Sequence, residues 1–402
     1  MEALKSRIKE LAKKYSDDIL KDRRHIHAHP ELSFQEHETA KFVEERLKSF
    51  GLNLQTRVAD TGLTVLIEGK NPESKTVALR ADMDALPITE ANDVPYKSTN
   101  EGVMHACGHD VHTSSLLGTA RILNEIKDDF EGTFKLIFQP GEEKIPGGAS
   151  LMIKDGVLKA SNNTQAPHSI LGQHVMPFLP VGTIGFREGL YMASADEIYV
   201  TVTGKGGHGA MPEKIIDPVL ISSHIIVALQ QIISRNCNPK MPSVLSFGTV
   251  EAKGATNVIP DVVKIEGTFR TYDEEWRAEA HRRMKKMAEG IAEAMGATCN
   301  FDIHVGYPHL KNHPMLTRRM RQAAEMYMGK ENVVDLDLWM AAEDFAFYSQ
   351  QVDACFYRLG TRNEAKGIVA SVHTPTFNID EDALEIGAGL MSWLALNELN
   401  DK

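Results

Sequence analysis

Two short segments concentrate side chains that can do chemistry. Met104-His-Ala-Cys-Gly-His-Asp110 places a thiol and two imidazoles within a few residues, and Gln139-Pro-Gly-Glu-Glu143 adds adjacent carboxylates. Thiolate and imidazole are both good ligands for zinc and related divalent ions. A carboxylate that fixes an ion, next to a free one that takes the proton from its water, is the pair metal-assisted hydrolysis needs. Cys107, His109, Glu142 and Glu143 are therefore the first candidates. Each alone has a plainer reading, a structural Cys beside a loop His or a solvated acidic turn. Together at the ends of apolar runs, they favour ligation.

Other residues join on weaker grounds. His174 ends the run Ile170-Leu-Gly-Gln, and His373 stands in Ser-Val-His-Thr-Pro near the C-terminus. A lone His is more often a surface or core residue than a ligand, and His168, in a polar stretch, reads as such a bystander. Asp82 and Asp84 follow Thr76-Val-Ala-Leu and could orient a ligand imidazole or simply make a turn. Gly204-Lys-Gly-Gly-His208 is a Gly-rich turn carrying one His. Asn257 and Arg270 are candidate anchors for an anionic substrate, since Arg suits bidentate carboxylate binding.

The elements that must hold these groups alternate. Helical spacing marks about Leu4 to Arg24 (Ile8, Leu11, Ala12, Ile19, Leu20), then about Phe34 to Phe50, stopped by Gly51. Apolar, β-branched runs at Leu63 to Ile67, Thr76 to Leu79, Phe134 to Phe138 and Ile170 to Leu171 read as strands, with a helix at about Val111 to Ile126. Strands alternating with helices predict an α/β fold with a mainly parallel sheet covered by helices. Sites in such sheets collect at the carboxyl ends of strands, and three separate strands deliver polar residues there. Near Ala193 the pattern becomes β-α-β-β-α-β up to about His304, the ferredoxin-like order. The expected organisation is a catalytic domain over 1–192 and 306–402, interrupted by a smaller α+β domain over 193–305.

Bulk properties bound the rest. With 402 residues, two domains are more plausible than one. A net charge of −11 argues against nucleic acid as a partner. The four cysteines are widely spaced, which fits reduced thiols. No signal peptide is visible and no uncharged apolar run approaches about 18 residues. A cytoplasmic protein without a membrane partner is expected.

Taken as a set, Arg80-Ala-Asp-Met-Asp-Ala-Leu-Pro-Ile, His105-Ala-Cys-Gly-His-Asp, Gly207-His-Gly-Ala and Ala342-Glu-Asp-Phe resemble the amidohydrolase branch of the aminoacylase and carboxypeptidase G metallopeptidase superfamily. The likeness runs from His27 to His373. It implies hydrolysis of the amide in N-acyl amino acids or similar small conjugates at a site for two divalent ions. Zinc is favoured by the donor set, with manganese, cobalt or nickel as alternatives. The resemblance makes Cys107 the bridge between the ions, with His109, Glu143, His174 and His373 completing the shell. Glu142 becomes the general base and then acid. Asp84 matches an Asp that clamps a ligand His in sister branches, and the position two earlier, Asp82, is a His there. His208 resembles the histidine that the inserted lid donates across a homodimer. The chain has about seven more residues than family members between the Glu pair and His174, which predicts a surface loop over 160–169. Two rivals remain: a dipeptidase or carboxypeptidase of the same superfamily, and a thiol hydrolase in which Cys107 attacks with His109 or His105 as base.

Overall fold

The structure is a computed structural model that describes residues 1–160 and 164–401, with the backbone alone at 55–57. It divides into two compact units. The first takes Met1–Tyr191, Lys311–Asp337 and Asp344–Lys402; the second takes Met192–Leu310 and Leu338–Glu343.

The first unit is built on an eight-stranded sheet. Its order is Leu54–Val58, Gly62–Glu68, Thr133–Gln139, Thr76–Asp82, Ser169–Pro180, Asp353–Arg362, Ile184–Phe186 and Val333–Asp335. The four central strands, from Thr133–Gln139 to Asp353–Arg362, run parallel. Leu54–Val58 and Gly62–Glu68 add an antiparallel edge. All seven residues of Thr76–Asp82 and of Thr133–Gln139 are buried, as parallel strands covered on both faces must be. That is why neither run alternates with polar residues.

The helix His109–Glu125 packs between Glu2–Ala28 and Asp382–Asn400 and lies on the strand Thr76–Asp82. Its Gly118 permits this. A Cβ there would lie 2.6 Å from Ile19 Cδ1 and 2.9 Å from Ala388 Cβ, so three helices meet across a bare backbone.

Two expectations about this unit change. The strand expected at Ile170 to Leu171 runs over Ser169–Pro180, so His174 does not end it. His174 still sits at the rim, because pairing with Thr76–Asp82 stops at Gly172 and the strand continues on Asp353–Arg362 alone. Of the expected loop over 160–169, residues 161–163 lie outside the described residues. His168 is exposed, and its N–H donates to Thr76 O at 2.8 Å.

In the second unit, Ser243–Ala252, Val262–Thr271, Asp196–Thr203 and Thr298–Val305 form an antiparallel sheet in that spatial order. Helices Pro218–Gln231 and Glu274–Ala294 pack on it and on each other. Both begin with an Asp whose carboxylate accepts backbone N–H bonds, Asp217 and Asp273. The unit extends past residue 305 because Asp196 and Glu274 hold that chain: Gly306 N–H donates to Asp196 and His309 N–H to Glu274. Contrary to the expectation that no apolar run approaches such a length, segment Pro218–Asn236 has the length and mean hydropathy, 1.2, of a membrane span; its first charged residue is Arg235, and 33% of its apolar window is buried within the protein.

Candidate active site

In the first unit the side chains singled out above come from strands, from the start of one helix and from loops beside them. Gly108, between Cys107 and His109, adopts φ +83° and starts the helix His109–Glu125. This left-handed turn suits Gly, and a Cβ would meet Val175 Cγ2 at 2.5 Å. Cys107 Sγ lies 3.5 Å from His174 Nε2 and 3.3 Å from His373 Nε2. His373 Nε2 is also 3.1 Å from Glu143 Oε1. His373 has φ +61°, a costly backbone for an imidazole residue, held by its N–H donating to Ala106 O at 2.7 Å.

Potential ligand atoms of Cys107, His109 and His174 all lie within 4.8 Å of one another, and the same is true of Cys107, Glu143 and His373. The two groups share one sulfur. His109, Glu142 and Glu143 form a further such group.

The surrounding hydrogen bonds aim these atoms. His109 Nδ1 donates to Asp84 O at 2.8 Å, with Asp84 Oδ1 at 3.1 Å, which leaves Nε2 bare. That Nε2 is buried without a hydrogen-bond partner. A buried imidazole nitrogen facing a thiol and carboxylates is satisfied by a cation, so the donor set fits a metal. His174 Nδ1 donates to Val175 O at 2.8 Å, which likewise turns its Nε2 toward the sulfur.

Asp82 and Asp84 have separate tasks. Asp84 accepts from Ser33 Oγ at 2.6 Å and from Glu143 N–H at 3.0 Å, besides His109. It therefore fixes one imidazole and the backbone of one carboxylate. Asp82 faces Arg80 Nη1 at 2.6 Å and His112 Nδ1 at 2.6 Å. His112 Nε2 in turn accepts Val175 N–H at 2.9 Å, so Asp82 steadies the strand beside His174.

Electrostatics match this layout. Hydrogen bonds to Cys107 and then Glu143 push the His373 imidazole up to about 10. Burial opposes charging of His109, yet Asp82 and Cys107 hold it well above its ordinary value. Burial drives His174 well down, with Arg358 adding to the effect. Burial, and then the charge of Glu143, pushes the Cys107 thiol up.

Glu36, His112 and His27, to which sequence reasoning gave no role, lie around the site, as does His105, named above only as a rival base. Glu36 is fully buried and accepts from Gly141 N–H, Phe34 N–H and Thr61 Oγ1, which pins the turn before Glu142. Burial, then the charge of Asp84, pushes its carboxyl up to about 7. His112, three residues after His109 on the same helix, carried a spacing signal. His27 bonds Asp110 at 2.7 Å and Glu90 at 3.1 Å, and lies in the segment noted for family likeness. His105 is buried with neither ring nitrogen bonded, and burial pushes it down to about 3.

The remaining candidates belong to the second unit. His208 is exposed on a two-residue strand paired with Val258–Ile259, and Gly209 N–H donates to Asn257 O at 2.9 Å. His208 and Asn257 thus share one loop pair. Arg270 is half-buried on Val262–Thr271, and its Nη1 donates to Met340 O at 3.2 Å.

A mainly parallel α/β sheet beside a cluster of thiol, imidazole and paired carboxylates defines a class of hydrolase. The chain belongs to peptidase family M20/M25/M40, whose model matches residues 78–397. It is 43% identical over 309 residues to an N-acyl-L-amino acid amidohydrolase of Geobacillus stearothermophilus, covering 77% of this chain and 82% of that one. It is 39% identical over 405 residues to thermostable carboxypeptidase 2 of Saccharolobus solfataricus, covering 100% and 99%. A dinuclear metal binding peptidase of the M20 family from Bacillus subtilis superposes with a TM-score of 0.81 at 35% identity, covering 96% and 99%. The chain is a hydrolytic enzyme of this family.

Proposed function

We propose that the protein hydrolyses the amide bond of N-acyl amino acids or similar small conjugates, releasing a carboxylic acid and an amino acid. The observation that carries this reading is the pair of donor groups sharing Cys107 Sγ, with the bare Nε2 of His109 beside them. Cys107, His109, Glu143, His174 and His373 would hold two divalent ions, zinc first by donor chemistry and manganese, cobalt or nickel next. Such ions polarise a carbonyl oxygen and lower the pKa of water from about 15.7 to about 7.

The chain's own residues do the rest. Glu142 accepts the proton of the attacking water and passes it to the leaving nitrogen, which departs as an amine. Its place within 4.8 Å of His109 and Glu143 supports that role. Asp84 and Asp82 orient the imidazoles. His208 polarises the scissile carbonyl from the second unit, read as a ferredoxin-like lid, and Asn257 and Arg270 receive the substrate carboxylate. We read the enzyme as a homodimer joined through that lid, since Ser243–Ala252 is an edge strand and Val219, Leu220 and Val227 are exposed on the adjacent helix. All four cysteines are free, which suits a reducing compartment such as the cytoplasm.

A carboxypeptidase reading keeps the same chemistry and is favoured by the relative of that name. A panel of N-acetyl, N-benzoyl and long-chain N-acyl amino acids plus dipeptides, assayed after chelation and return of each metal, separates them. Activity should vanish on chelation and return with metal, and Glu142→Ala should lose at least about a hundredfold in kcat. Full activity without metal would instead favour Cys107 as a nucleophile.

A further inference from the structure

Arg80 belongs to none of the groups assigned above, yet it is a buried and heavily engaged cation beside them. It sits on Thr76–Asp82 and is 1% exposed. Its Nε donates to Gln139 Oε1 at 2.9 Å, Nη1 to Asp82 Oδ2 at 2.6 Å and Nη2 to Asp344 Oδ1 at 2.7 Å. Gln139 turns its own amide onto Asp344, at 2.9 and 2.8 Å from the two oxygens. Ala149 N–H donates to Asp344 Oδ2 at 2.9 Å. The carboxylate of Asp344 is therefore held by Arg80, Gln139 and Ala149 together. The peptide N–H of the same residue donates to Glu142 Oε1 at 3.3 Å.

We propose that Arg80 is a positioning residue for Glu142: by clamping Asp344 it fixes the backbone donor that holds the proton-carrying carboxylate. The inference rests on the role given to Glu142 above. A mere counter-charge for two buried carboxylates would need no set directions, but the geometry asks for more than charge. A guanidinium is a planar fork that can serve two carboxylates and an amide in set directions, whereas a Lys ammonium is a point charge on a flexible stem. Two candidate ligands have nearer support, because His109 is oriented by Asp84 and His174 by Val175 O, and Arg80 reaches the strand of His174 only by way of Asp82 and His112. Loss of the fork should therefore move Asp344 and Glu142 and leave metal binding in place.

The test uses zinc-loaded full-length enzyme and the best N-acyl amino acid of the substrate panel. Arg80→Lys and Asp344→Asn are each made in wild-type and Glu142→Ala backgrounds, with kcat, KM, bound zinc and Tm measured. Arg80→Lys should keep its zinc, hold KM within about threefold and lose about 10- to 100-fold in kcat, the scale of a misplaced catalytic group. It should cause no further loss on top of Glu142→Ala, and the Arg80→Lys/Asp344→Asn pair should be no worse than its worse member. A wild-type kcat in Arg80→Lys, an equal further loss on Glu142→Ala, or zinc lost in step with activity would overturn the proposal. If Arg80→Lys fails to fold, Asp344→Asn decides on the same criteria. Glu142→Ala at the wild-type rate would sink the role of Glu142 itself, whereas wild-type-like Arg80→Lys beside inactive Glu142→Ala sinks this inference alone.

Discussion

Asp82 and Asp84 show how much one residue's partners decide. Both are buried, Asp82 ends the strand Thr76–Asp82 that Asp84 follows, and both face imidazoles. Only Asp84 also takes the backbone N–H of Glu143, so it alone ties a candidate ligand imidazole to a candidate ligand carboxylate. Asp84→Asn should therefore lower metal affinity about 10- to 100-fold, the usual cost of removing such a supporting partner. Competition against a chromogenic chelator measures it, and Asp82→Asn should change affinity less. The types and spacings of Cys107, His109, Glu142 and Glu143 were legible in the sequence because residue type and short spacing are local. The division between the two Asp residues was not. It depends on where the chain turns after leaving the sheet at Asp82, and on a loop some sixty residues later that brings Glu143 to Asp84.

Among elements, the helix His109–Glu125 supports the site from beneath, and its burial is nearly complete. Its sequence pattern was visible, but the reason for Gly118 was not, since Ile19 and Ala388 come from opposite ends of the chain. Gly118→Val should destabilise the protein by about 1–3 kcal/mol through overpacking, read as a lower urea midpoint with an unchanged m-value. The helix Glu274–Ala294 gives a pH-dependent counterpart. Burial would raise the carboxyl of Glu274, but hydrogen bonds from His309 and Arg277 bring it down to about 2. Its folded value lies below the unfolded one, so its contribution to stability is present above about pH 4.5 and is lost as pH falls toward 2. Glu274→Gln should therefore be less stable than wild type by a constant margin above about pH 5. That margin should shrink from about pH 4.5 to 3 in urea unfolding series.

For the whole molecule, the second unit poses the question of assembly. Ser243–Ala252 has a sheet partner on one side only, and Val244 and Val250 on it are exposed. Val227, on the neighbouring helix, is 74% exposed. An unprotected apolar edge of this kind invites pairing with another chain. If the proposed homodimer forms through this face, Val227→Glu combined with Val250→Lys should shift it to monomer in light scattering. Activity should fall with it if His208 acts on a partner's substrate, whereas a variant that stays dimeric and active would remove this face from the interface.

By itself, the sequence determined the chemistry and the class of fold. Apolar runs without alternation marked buried parallel strands, the change of pattern near Ala193 marked a second kind of sheet, and the Cys-Gly-His and Glu-Glu spacings marked candidate donors. These signals survive in one dimension because strand periodicity and ligand type depend on near neighbours. Only the tertiary structure decided which donors meet. The shared sulfur of Cys107, the bare nitrogen of His109, the separate duties of Asp82 and Asp84 and the fork of Arg80 all join residues tens to hundreds of positions apart. Such contacts are set by how the sheet is ordered and packed, and no local pattern encodes that order.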